Sequence, residues 1–362
     1  MQGGVGDYTW WLGRALCARG VDVHVLTSHE AGPAHLAPAG AGTVYPDIQT
    51  WRWGLAGQVR RLADEIQPDV LHIQYQSAAF DVHPAINLLP RSLRRRAWPR
   101  RVAVTLHDLR TPYIFPKAGP LRWRANLELT GQSDAVIVTN AEDLARLRAA
   151  PTLAGKLYEA PIGANIEPDP PEDFQRESQR AGWGVGPDDL LLCYFGFLNE
   201  SKGGEELMLA LAQAVAGGAP ARLLMIGGQV GASDPTNQRY LQHVQALVDE
   251  HNLGERVRWT GFTTAAEVSA NFFASDIAVL PYRDGASFRR GSLMAAIAHA
   301  MPVISTEPAV TIPELRHGEN IWLAPVRSPE ALAAAAVSLW REPALRRRLS
   351  QGARQFAGQF TW

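Results

Sequence analysis

Residues 283–306 read RDGASFRRGSLMAAIAHAMPVIST. A Gly- and Ser-bearing turn that carries Arg289 and Arg290 runs straight into an apolar helix, Ser292–Ala300. Pro302 then opens a short apolar strand, Pro302–Ser305. A helix N-terminus presents unpaired backbone N–H groups and a partial positive charge, so Gly285–Leu293 is physically an anion cradle. Arg289 and Arg290 stand at its mouth, where guanidinium groups can add bidentate phosphate contacts. The competing reading is a capped core helix with two solvated arginines, and the surrounding chain has to separate the two.

Outward from this stretch, short β-branched or apolar runs alternate with helix-length amphipathic segments. Val21–Thr27, Val70–Gln74, Val102–Leu106 and Ala135–Thr139 read as buried parallel strands, with helices at Leu55–Ile66 and Leu121–Gly131 between them. The second half repeats the scheme with strands Leu190–Gly196, Ala221–Gly227, Val257–Thr260 and Ile277–Pro281. Its helices read as Glu205–Ala216, Asn237–His251 and Ala265–Ala274. This alternation specifies doubly wound, Rossmann-like α/β domains, and 362 residues suffice for two. Pro161–Asp189 is rich in Pro, Gly and charge and poor in strand pattern. The domains are therefore expected at 1–165 and 189–362, with an exposed connector at 166–188.

Composition narrows the function classes. A net charge of −1 leaves no basic footprint for nucleic acid. Cys17 and Cys193 are far apart among apolar neighbours, which suits reduced thiols of a cytoplasmic protein. No apolar run reaches membrane-spanning length, and the N-terminus lacks a signal-peptide pattern. Arg91, Arg94, Arg95, Arg96, Arg100 and Arg101 crowd around Trp98. That patch fits either a solvated helix end or a weak peripheral contact with anionic headgroups at the inner membrane face.

The start of the chain is unusual. Gly3, Gly4 and Gly6 read as a tight turn leading into the amphipathic segment Tyr8–Arg19, and such a turn normally follows the first, central strand. Only Met1 and Gln2 precede it, so the first domain is expected to lack that strand, through trimming or a start assigned too late.

In open α/β sheets ligands bind at the carboxyl ends of the strands. In the first half this selects the glycine turn, Gln74–Gln76, and His107 with Asp108, His107 being a candidate hydrogen-bond donor to a sugar hydroxyl or a satisfied strand-end histidine. In the second half it selects FGFLNESKGG, residues 195–204, where a strand ends at Gly196 and Lys202 precedes a helix. A cation in a first helical turn opposes the helix dipole, so Lys202 either points to solvent or faces an anion. Lys202, Arg289, Arg290 and the N-terminus at Gly291, Ser292 and Leu293 can together hold a diphosphate. A nicotinamide enzyme fits poorly, since Thr27 and Ser28 occupy the second-strand position of the ribose-binding acid and only Glu30 is near. No GxSxG elbow occurs.

The motifs GGVGDYTWWLGRAL, RGVDVHVLT, VTLHDL, PIGANI, FGFLNESKGG, VRWTGF and PELRHGEN follow one another as in glycosyltransferase family 4, a GT-B family, and the chain resembles it over nearly its whole length. The resemblance implies a retaining, metal-independent, hexosyltransferase-like enzyme that moves a sugar from a nucleotide-sugar donor to an unidentified acceptor. The donor would be held mainly by the C-terminal domain and the acceptor mainly by the N-terminal one. It implies donor contacts at Gly3, Gly4, Gly196, Ser287, Arg289, Arg290, Gly291, Ser292 and Leu293, with catalytic roles for His107 and Lys202. No cofactor is implied, the nucleotide sugar being a substrate. Three positions depart from the family pattern. Counted back from Pro302, its two donor-site glutamates fall on Ser287 and Ala295, and Phe197 stands where an arginine is common. These departures leave a second reading open: a degenerate GT-B module that binds a nucleotide sugar or a partner without turnover.

Overall fold

The computed structural model describes residues 4–29, 40, 42–95, 98–107, 109, 119–228 and 235–362. The described chain divides into two compact units, Met1–Ile162 with Trp362, and Gly163–Thr361. The first unit contains α1 (Gly4–Cys17), β1 (His24–Ser28), β2 (Thr43–Ile48), α2 (Leu55–Ile66), β3 (Val70–Tyr75), α3 (Leu89–Arg94) and β4 (Arg101–Leu106). α4 (Gly119–Gln132), β5 (Ala135–Val138), α5 (Ala141–Arg148) and β6 (Leu157–Glu159) complete it. The second contains α6 (Arg176–Gly182), β7 (Leu190–Phe195), α7 (Gly204–Ala216), β8 (Ala221–Ile226), α8 (Pro235–Glu250), β9 (Val257–Trp259) and α9 (Ala265–Ala274). β10 (Ile277–Leu280), α10 (Gly291–Ala298), β11 (Val303–Thr306), β12 (Trp322–Ala324), α11 (Pro329–Arg341) and α12 (Pro343–Ala357) follow.

The second unit is one parallel sheet of order β12-β11-β10-β7-β8-β9. Its central strands are buried on both faces, which is why LLLCYF, IAVL and VIST read as unbroken runs rather than alternating ones. The order reverses between β7 and β10, so the crevice at their carboxyl ends is the topological switch point where doubly wound sheets bind ligands. Its helices begin where local chemistry satisfies their first N–H groups. α9 starts with a reciprocal capping box between Thr264 and Glu267, and α11 with Ser328 over the Ala331 N–H.

In the first unit, β3-β4-β5-β6 form a parallel sheet and β1-β2 a separate parallel pair. Among the described residues no strand precedes α1. Val102, Val104, Leu106, Leu129, Val136 and Val138 are buried between β4, β5 and α4. The sequence reading missed β2, β6 and β12. β2 holds Pro46 and lies at the end of a two-stranded pair, where a missing donor is tolerated, while β6 and β12 are only three residues long.

Two expectations are corrected. Gly4 and Gly6 do not form a turn before a helix but lie in the first turn of α1 itself. The segment 166–188 is not simply an exposed connector. Arg180 in α6 is buried and donates to the Asp276 carboxylate at 3.0 Å, to Ala274 O at 3.0 Å and to Asp189 O at 2.7 Å, which ties the segment to the second unit. Asp276 lies 96 residues away in sequence, so no local pattern announces the pair.

Candidate donor site

β7 runs out at Phe195, and Gly196 turns the chain with φ +110°, a backbone conformation open to glycine and strained for other residues. A Cβ on Gly196 would lie 3.1 Å from Lys202 Nζ, so the amine rests directly over this glycine, with the Ser292 side chain beside it. Lys202 reaches that place because its turn is pressed onto β10. Gly203, at φ +71°, leaves no room for a Cβ, which would sit on the Pro281 carbonyl oxygen. Among the described residues the Lys202 amine has no ion-pair partner. Burial, and then the nearby charge of Arg290, lower its pKa to about 8.

The opposite wall is the loop after β10. Arg290 caps α10 through its backbone, and its guanidinium stacks 4.8 Å over the Tyr282 ring and pairs with the Asp284 carboxylate. Arg289 pairs with the other Asp284 oxygen at 3.3 Å. Tyr282 is fully buried, with its hydroxyl 2.7 Å from Ser292 Oγ. Burial pushes this hydroxyl up to about 12, so it stays protonated.

Gly196, Lys202, Arg290, Gly291 and Ser292 therefore converge at the switch point. Two parts of the cradle differ from the sequence reading. Arg289 and Arg290 are not two freely solvated cations, because Asp284 bridges both. The Leu293 N–H is already directed at Arg290 O, which leaves Gly291 and Ser292 as the helix-end donors. Ser287 accepts the Arg290 backbone N–H through its carbonyl, and its side chain is only part-buried. Ala295 is wholly buried inside α10 and offers no polar group. Phe197 is 47% exposed with its ring laid over Gly228, an apolar surface where a guanidinium is common in the resembling family.

In the first unit His107 ends β4. Its Nε2 lies 3.0 Å from Gln74 Oε1, and the Tyr8 ring meets it edge-on at 4.5 Å. His72 is nearby, hydrogen-bonded to Thr105 Oγ1 at 2.8 Å. Burial lowers both imidazoles to about 4, His107 being lowered further by His72, so both are neutral near pH 7. In the tautomer that donates Nε2–H to Gln74 Oε1, the other His107 nitrogen is an acceptor. A Cβ on Gly4 meets no protein atom within 4 Å. Gly3 and Asp108 lie outside the described residues.

The arginines between Arg91 and Arg101 are largely engaged within the unit. Arg91 pairs with Glu128, Arg94 and Arg101 with Asp134, and Arg100 with Asp64, while Trp98 is buried under Arg100. Trp98 is thus not available as an interfacial anchor, and Arg96 lies outside the described residues. Among the described residues no helix is long and apolar enough to cross a membrane.

Known families match both halves of the chain. A profile for glycosyl transferases group 1 matches residues 189–342, and one for the glycosyl transferase 4-like domain matches residues 3–156. The chain belongs to the group 1 glycosyl transferases. Over 370 residues this glycosyltransferase is 25% identical to a GDP-mannose-dependent alpha-(1-6)-phosphatidylinositol dimannoside mannosyltransferase of Mycobacterium tuberculosis. The match covers 97% of this chain and 87% of the relative. Among solved structures it is similar to HepE of Anabaena in complex with UDP-glucose, with TM-score 0.77, 18% identity and coverage of 99% and 92% of the two chains. It is also similar to sucrose-phosphate synthase of Thermosynechococcus elongatus, with TM-score 0.74, 22% identity and coverage of 97% and 88%. These likenesses show the GT-B fold of two Rossmann-like domains, and the family makes the activity glycosyl transfer.

Proposed function

We propose that this glycosyltransferase uses a nucleotide-sugar donor whose diphosphate lies over Gly196, between the Lys202 amine and the N-terminus of α10. The observation that carries the reading is the Lys202 amine, packed over Gly196 near Arg290 and without an ion-pair partner among the described residues, at the switch point of the sheet. Two cations crowded together repel each other, and an anion between them converts that repulsion into attraction. The HepE neighbour was solved with UDP-glucose, which supports the same class of donor here.

The chemistry follows from where charge develops. As the bond from the sugar C1 to the donor phosphate oxygen breaks, negative charge grows on the leaving diphosphate. Lys202, Arg290 and the Gly291 and Ser292 N–H groups are pre-placed to stabilise it. The acceptor hydroxyl oxygen forms the new bond to C1 on the same face, and its proton passes to the leaving phosphate oxygen. The configuration at C1 is then retained, and the step requires neither an enzymic nucleophile nor a metal ion. His107, neutral and presenting an acceptor nitrogen, serves to orient a sugar hydroxyl.

A second reading is favoured by one observation. Ser287 and the buried Ala295 supply no carboxylate for sugar or ribose hydroxyls, as a binding module without turnover would allow. Incubating the protein with UDP-, GDP- and ADP-sugars and following nucleoside diphosphate release separates the two. Release above the uncatalysed rate, lost in Lys202→Met, supports the transferase. Tight nucleotide-sugar binding with no release across the panel supports the module.

A further inference from the structure

Arg283 is the first residue of the diagnostic stretch, and its side chain turns away from the cradle. Its guanidinium donates from Nε to Glu206 Oε1 at 2.7 Å, from Nη2 to Glu205 Oε2 at 2.6 Å and from Nη1 to Glu200 Oε1 at 3.0 Å. Its backbone N–H donates to Ser201 O at 2.9 Å. The three carboxylates surround Lys202 in sequence: Glu200 opens the turn that Lys202 closes, and Glu205 and Glu206 lie in the first turn of α7. Glu205 is further fixed because its backbone N–H donates to the Tyr240 hydroxyl at 3.1 Å.

Lys202 therefore stands within a few residues of three carboxylates and yet pairs with none of them among the described residues. The guanidinium fork explains this, because one planar group takes all three while the backbone bond to Ser201 clamps the same turn. We infer that Arg283 is a positioning residue: it occupies Glu200, Glu205 and Glu206 and locks the Lys202 turn to the loop bearing Asp284, Arg289 and Arg290. The cation over Gly196 is thereby kept for the phosphate and held in register with Arg290. Only arginine has the fork for this; a lysine ammonium engages the carboxylates as a point charge without fixing the turn. This role rests on the phosphate-site reading above.

The test measures UDP and pyrophosphate affinity by calorimetry alongside melting temperature. Arg283→Met alone strands the buried Glu206, so the informative variant is Arg283→Met with Glu206→Met, which removes that buried charge as well. It is expected to melt close to wild type yet bind UDP and pyrophosphate at least tenfold more weakly. Arg283→Lys is expected to fold and to bind at least fivefold more weakly. Arg180→Met, which breaks the buried pair at the start of β10, is the control: it lowers the melting temperature and leaves UDP affinity within twofold. If either the double variant or Arg283→Lys binds UDP within twofold of wild type, the positioning role is overturned while the phosphate site stands. If wild type itself binds neither probe, the phosphate-site reading falls and the role of Arg283 with it.

Discussion

Lys202→Met should make the unliganded protein more stable and its site inert. The folded chain holds the Lys202 amine at a pKa of about 8 against an ordinary 10.5, first through burial and then through Arg290. At about 1.4 kcal/mol per unit, keeping this lysine protonated at pH 7 costs the folded state roughly 3 kcal/mol. Methionine keeps most of the apolar stem and removes the charge, so that cost disappears while packing over Gly196 is largely retained. For a unit of this size 1 kcal/mol corresponds to about 2–4 °C in Tm. Allowing for relaxation around the new side chain, a rise of about 5 °C is expected by calorimetry. Against this, a charge-assisted contact to phosphate is worth about 1.5–3 kcal/mol, so UDP or pyrophosphate should bind about 10- to 100-fold more weakly. The two signs together are the signature of a cation retained for a ligand rather than for the fold. A variant that melts lower than wild type and binds UDP within twofold would refute the reasoning.

Other outcomes follow from the same geometry. Because the Lys202 pKa is depressed in the folded chain, its cost is fully present below about pH 8 and is relieved as the pH rises from about 8 to 10.5. UDP titrations should accordingly weaken above pH 8, by up to tenfold per unit, with proton uptake on binding. A pH-independent affinity between 7 and 9.5 would place Lys202 outside the site. Gly196→Ala puts a Cβ 3.1 Å from the Lys202 amine at a backbone φ of +110°. Denaturant unfolding should show a loss of about 1–2 kcal/mol, and calorimetry at least tenfold weaker UDP binding. Arg180→Met leaves Asp276 without its most buried partner, and a loss of about 3 kcal/mol is expected in urea unfolding. A loss under 1 kcal/mol would mean that residues 166–188 are not held to the second unit through this pair.

Much of the architecture was legible along the chain because parallel strands buried on both faces must be continuous apolar runs. β7, β8, β10 and β11 could be read to within a residue or two, and Ala265–Ala274 to the residue. The short strands β6 and β12 carry too few residues for any period to register. The candidate site was legible in part. Gly196 and Lys202 stood out because a glycine at a strand end and a cation opposing a helix dipole are local anomalies. The roles of Asp284, Tyr282 and Arg283 were not legible. Asp284 and Tyr282 meet Arg289, Arg290 and Ser292 within one irregular loop whose path no periodicity announces, and the guanidinium of Arg283 meets carboxylates 77 to 83 residues away once β10 lies beside β7.

The sequence by itself determined that this protein is a two-domain α/β chain in which a glycine- and arginine-bearing turn near Gly285 leads into an apolar helix. Those properties rest on near-neighbour rules: periodicity, caps, and the N–H groups any helix end exposes. Tertiary structure alone decided which charges the cradle keeps. It tied Arg289 and Arg290 to Asp284, turned Arg283 away onto three glutamates, and left the Lys202 amine over Gly196. Charge pairing is a matter of distance in space: the Asp284 pairs depend on the path of an irregular loop, and the Arg283 pairs on strands that meet at the switch point but are far apart in sequence.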